Sequence, residues 1–118
     1  MDQQGTAAAL AVEREATASR MAALARQVES LAEQQALTTH DDEHDPEGVT
    51  IAYERAQLQG LLAGAGRDLE ALDRAAERLR SGTYGACGQC GGPIGAARLE
   101  ALPAAETCIA CTGRRRRR

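Results

Sequence analysis

Four cysteines carry the clearest chemistry in this 118-residue chain. Cys87-Gly88-Gln89-Cys90 and Cys108-Ile109-Ala110-Cys111 form two Cys-X2-Cys pairs with 17 residues between them. Each pair grips a metal from one tight turn, and the spacing is that of a structural zinc site. Glycines among the ligands, Gly91 for one, let the backbone fold around the sulfurs where side chains would collide. Disulfides and redox thiols are the competing readings. Disulfides belong to oxidising compartments, and a redox Cys-X2-Cys is expected once, within a βαβ pattern that this sequence lacks. Four thiolates around one Zn2+ leave a formal −2 and fill all four coordination positions, so the expected metal is structural and has no place for a catalytic water.

A second concentration of charge lies in mid-chain, where Asp41, Asp42, Glu43, Asp45 and Glu47 place five acids in seven residues. Asp45 suits a helix N-cap, Pro46 the first helical position, and Glu47 the positive end of the helix dipole. Asp41, Asp42 and Glu43 instead follow the end of the preceding helix, where the dipole disfavours anions. Helix stability does not account for them. They read as a partner-binding acidic tip suited to a basic or metal-containing surface, or else as a solvated loop. His40 and His44, four residues apart beside carboxylates, read as capping or solvated residues or as a second metal site. A calcium loop fails, since Pro46 stands at its required Gly and Ala52 at its closing Glu.

The chain ends on Arg114, Arg115, Arg116, Arg117 and Arg118, five of its 14 basic residues. The formal net charge is −3, so residues 1–113 alone carry −8. A run of like charge is solvated or gives salt-dependent, sequence-independent contact with nucleic acid or another partner. No aromatic platform accompanies it. Because the run lies beyond the last cysteine, the metal site is expected to be indifferent to it.

The elements that must position these groups are helical. With no Trp or Phe, two Tyr and 25 Ala, the chain lacks the side chains for a thick core. Apolar residues alternate in steps of four and three through Thr17, Met21, Leu24, Val28 and Leu31, with Leu10 one heptad upstream. The pattern returns through Ile51, Leu58, Leu62, Ala65, Leu69, Leu72, Ala76 and Leu79, with Arg55 as the one charged intruder. Two coiled-coil helices of about 35 residues follow. Their short connection predicts an antiparallel hairpin, the alternative being pairing with another copy. Glycines 60, 64 and 66 cost the second helix roughly 1 kcal/mol each relative to Ala, which predicts a bend or fraying there. The fold class expected is all-α with a small zinc module. Its parts are a coiled-coil hairpin over 1–81 with its tip at 38–48, a four-cysteine zinc finger over 82–113 and a basic tail over 114–118. No run of about 20 apolar residues exists. Asp2, Glu13, Arg14 and Glu15 interrupt the Ala-rich start, so a signal peptide is not expected. These features predict a cytoplasmic, monomeric protein without membrane contact.

Tyr84-Gly85-Ala86-Cys87-Gly88-Gln89-Cys90-Gly91, then Ile94, Arg98-Leu99-Glu100-Ala101-Leu102-Pro103, Ala105 and Cys108-Ile109-Ala110-Cys111, resemble the zinc-finger signature of the DksA/TraR family. The resemblance extends upstream through the hairpin, over roughly residues 10–112. It implies a bacterial transcription regulator that binds RNA polymerase directly. The hairpin would enter the secondary channel, bring the acidic tip close to the catalytic centre and alter promoter complexes without reading promoter sequence. The best-known members carry two functional aspartates three residues apart, with Pro after the first and a small Ala shortly after the second. Asp45-Pro46 matches the first, Gly48 occupies the second position and Thr50 stands where Ala would be, while Asp42 and Asp45 keep the spacing in a shifted register. Two other functions remain open: a nucleic-acid-binding zinc module using the finger and Arg tail, and a coiled-coil adaptor. An enzyme is not expected, since no nucleophile, base and oxyanion group converge in the sequence.

Overall fold

A computed structural model describes residues 2–38 and 46–116 of the chain. Four helices follow one another: α1 (Gln3–Thr38), α2 (Pro46–Ser81), α3 (Ala96–Ala101) and α4 (Ile109–Arg116). Among the described residues the only extended pairing is an isolated antiparallel bridge between Ala86 and Pro93. Asp41, Asp42, Glu43 and Asp45, together with His40 and His44, lie outside the described residues, whereas Glu47 sits in the first turn of α2.

Both long helices are 36 residues, and local chemistry sets their ends. Asp2 caps α1, its Oδ1 accepting the Gln4 amide at 3.1 Å. Pro46 opens α2, where its fixed φ and missing N–H cost nothing. Gly82, at φ +83°, closes α2 with the Thr83 amide donating to Arg78 O at 2.8 Å and the Gly82 amide to Leu79 O at 3.4 Å. That is a Schellman stop, whose left-handed residue favours glycine. The helix runs unbroken through glycines 60, 64 and 66. A penalty of about 1 kcal/mol at each does not interrupt a helix whose other face is packed.

The two helices form an antiparallel hairpin. As residue numbers rise along α1 their partners fall along α2: Gln3 bonds the Leu79 carbonyl, Arg14 pairs with Asp73, and Gln35 accepts from Arg55. The chain divides into two compact units, one of Ala16–Arg67 and one of Met1–Glu15 with Asp68–Arg118. This division runs across the hairpin–finger boundary at 81/82 drawn from the sequence.

Within Ala16–Arg67 the contact is thin. Thr17, Ile51 and Ala65 are buried, while Met21, Leu24, Val28, Leu31, Leu58 and Leu62 are half-buried. A Cβ added at Gly66 would come 3.8 Å from Met21 Cε, an ordinary contact. Arg55, the charged residue on this seam, donates from Nη1 to Gln35 Oε1 at 3.2 Å.

The other unit holds the described hairpin base and the cysteine-bearing segment. Leu10, Leu72 and Ala75 form a buried cluster, with Leu79, Tyr84 and Ala104 packed against it. Ala75 is fully buried and Ala76 only partly, which moves the seam by one residue from the heptad reading. Tyr84 and Ala104, contributed by the chain after α2, cover this face of the helix, and a two-helix repeat does not anticipate them. Arg14 Nε donates to Asp73 Oδ1 at 2.7 Å, and that bond holds the Asp73 carboxyl below the usual carboxylate range.

Candidate metal centre

The four sulfurs come together. One Sγ from each of Cys87, Cys90, Cys108 and Cys111 lies within 4.8 Å of every other, and none of the four is in a disulfide. Cys90 Sγ and Cys108 Sγ are 3.8 Å apart, close to the edge of a tetrahedron with Zn–S bonds of about 2.3 Å. The donor set and its dimensions fit zinc. With four protein ligands the ion is structural: it closes the finger and keeps no open position.

The first pair sits on a turn held by its own backbone. The Gly91 amide donates to Cys87 O at 2.9 Å and the Cys87 amide to Gly92 O at 2.7 Å. Gly91 adopts φ +76°, a conformation that glycine reaches without steric cost. Two amides then point at sulfur: Gln89 N to Cys87 Sγ and Gly92 N to Cys90 Sγ, both 3.4 Å. The second pair straddles the start of α4, where the Thr112 amide donates to Cys108 O at 3.0 Å. Backbone amides, that of Cys90 foremost, draw the Cys87 thiol down to about 6, while burial pushes the Cys111 thiol up to about 11. Zinc loading at neutral pH therefore has to displace a proton from Cys111.

Cys87, Ile94, Leu99 and Cys111 are buried together, and Tyr84, Ala105 and Cys108 pack on them. Polar ties complete the module. Tyr84 Oη donates to Pro103 O at 2.9 Å. Arg98 of α3 donates from Nε to Thr107 O at 3.0 Å and from Nη2 to Thr112 Oγ1 at 3.1 Å, joining α3 to α4. Glu106 links the finger to α2. Its carboxylate accepts from Arg74 Nε at 2.6 Å and Arg78 Nη1 at 3.3 Å, while its carbonyl accepts the Gly88 amide at 2.8 Å. These arginines hold the Glu106 carboxyl below the usual range.

Arg114 makes a contact that its place in the basic run does not announce. Its Nη2 donates to Cys111 Sγ at 3.1 Å, so the first residue of the basic run is part of the metal centre's surroundings. The backbone of Arg115 and Arg116 continues α4, and Arg117 and Arg118 lie outside the described residues. Helical spacing places Arg114 one turn after Cys111, a signal legible once α4 is known to extend past the last cysteine. Arg98 stands in the zinc-finger signature read from the sequence, whereas Glu106 carries no comparable mark.

A helical hairpin joined to a four-cysteine zinc finger is the class of protein that this fold and site define. Residues 82–117 match the family described as the prokaryotic dksA/traR C4-type zinc finger. Over 47 residues it is 45% identical to the RNA polymerase-binding transcription factor DksA of two strains of Caulobacter vibrioides. That stretch is 40% of this chain and 33% of the relative, so the match spans a third of the curated relatives' length. The solved structure of transcription factor DksA2 from Pseudomonas aeruginosa is similar over 98% of this chain and 83% of that one, with a TM-score of 0.78 and 25% identity.

Proposed function

We propose that this protein is a DksA-like transcription regulator that binds RNA polymerase, its hairpin entering the secondary channel so that the acidic tip acts near the catalytic centre. The observation that carries the reading is the likeness to DksA2 over 98% of the chain, hairpin and finger together. A zinc module alone would match over its own length. Three apolar side chains support a partner at the tip end of the hairpin. Leu37 near the end of α1, and Val49 and Tyr53 near the start of α2, are 79%, 71% and 66% exposed. Apolar groups kept in water beside an acidic run are what a docking element offers. In this reading the protein is a cytoplasmic monomer without catalytic activity, zinc holds the finger, and polymerase is the partner.

Asp42→Asn and Asp45→Asn remove two of the tip charges with almost no change of shape, and Asn is in general nearly as good an N-cap as Asp. If the shaft and base supply affinity and the tip supplies the effect, the double variant abolishes regulation in purified transcription. Its polymerase binding stays within about tenfold, roughly 1.4 kcal/mol. Full regulation by the double variant would show that these charges are not the working groups. Failure of the wild-type protein to bind polymerase would overturn the whole reading.

A further inference from the structure

The four sulfurs are not supported alike. Cys87 and Cys90 receive backbone amides from Gln89 and Gly92 at 3.4 Å, two residues ahead of each in the loop. Cys111 lies in the first turn of α4, where the next amide along, that of Thr112, is committed to the Cys108 carbonyl at 3.0 Å. It is also 1% exposed, so water does not solvate its charge as it can that of exposed Cys90. A buried anionic sulfur without a donor is costly. The donor that Cys111 meets is the guanidinium of Arg114, at 3.1 Å, shorter than either backbone N–H···S contact.

We infer that Arg114 is a positioning residue of the zinc centre: its guanidinium donates to the Cys111 thiolate, offsets part of the site's formal −2 and slows loss of the metal. The side chain occupies the place that a loop amide takes at the first pair. It meets Cys111 because residues three apart share a helix face. The first member of the basic run is accordingly engaged at the metal centre.

The test uses the full-length zinc-loaded protein and a chromogenic chelator, comparing wild type with Arg114→Ala, Arg114→Lys and Arg118→Ala. Partners of metal ligands typically contribute 10- to 100-fold in metal affinity. Arg114→Ala should therefore hold zinc about tenfold or more less tightly, Arg114→Lys should recover part of the loss, and Arg118→Ala, which removes the same charge, should match wild type. Cobalt in place of zinc supplies a second readout. The thiolate-to-metal charge-transfer band should shift in Arg114→Ala, which removes the N–H···S bond to Cys111, and stay put in Arg118→Ala. Equal affinities and spectra in wild type, Arg114→Ala and Arg118→Ala would overturn the assignment. An equal loss in the two alanine variants would do the same, tracing the effect to general tail charge.

Discussion

Tyr84 shows how much single groups contribute in a module with so little apolar mass. Its ring packs against both buried clusters, Leu10, Leu72 and Ala75 on one side and Cys87, Ile94, Leu99 and Cys111 on the other. Its hydroxyl donates to Pro103 O, and burial raises its phenol above the ordinary value. Tyr84→Phe keeps the ring and removes the bond. It should lower stability by about 1 kcal/mol, the net worth of one such bond plus the unmet Pro103 carbonyl. Denaturant midpoints of the zinc-loaded proteins measure this. An unchanged midpoint would mean that water satisfies both groups equally well. Tyr84 appears in the family signature, but its bond to Pro103, 19 residues away, is visible only in the folded chain.

At the scale of elements, the finger and the base of the hairpin share structure. Glu106 pairs with Arg74 and Arg78 of α2 while its carbonyl holds the Gly88 amide inside the first cysteine pair. Ala104 and Tyr84 close the cluster around Ala75. Structural zinc contributes on the order of 10 kcal/mol to folding. Its removal, by chelation or by Cys108→Ser, should therefore do more than disorder residues 82–116. Amide exchange should rise also in 68–81, which loses its cover, while 16–67 keeps its protection through its own contacts at Thr17, Ile51 and Ala65. Hydrogen exchange with and without zinc resolves the three segments. Unchanged protection in 68–81 would show that the finger and the helix end are independent.

For the molecule as a whole, the acidic body and basic end set the long-range field. Residues 1–113 carry −8 and the last five residues carry +5. Deleting 115–118 while keeping Arg114 should flatten the salt dependence of nonspecific DNA or polymerase binding. On DNA the slope falls by about 0.9 for each phosphate that the shortened tail leaves unneutralised. Zinc affinity should be retained, since the donor to Cys111 remains. Deleting Arg114 as well should add zinc loss to the same flattened slope. Identical salt slopes for full-length and shortened protein would make residues 115–118 an inert appendage.

Spacing alone determined the helices and the metal ligands, because both depend on local periods: four-three alternation for a seam, two Cys-X2-Cys turns for a tetrahedral ion. Pro46 marked the start of α2 for the same reason, since a fixed φ is a property of one residue. What joins distant parts of the chain was decided by the tertiary structure. Ala75 is buried because Tyr84 and Ala104 return over it, and Glu106 matters because Arg74 and Arg78 reach it from α2. Arg114 looked like one of five equivalent charges until α4 continued past Cys111 and turned it toward the sulfur. A run of identical residues carries no mark of which member is engaged. For Arg114 the helix that contains it supplies the mark, through the one-turn separation that brings this guanidinium against a buried thiolate.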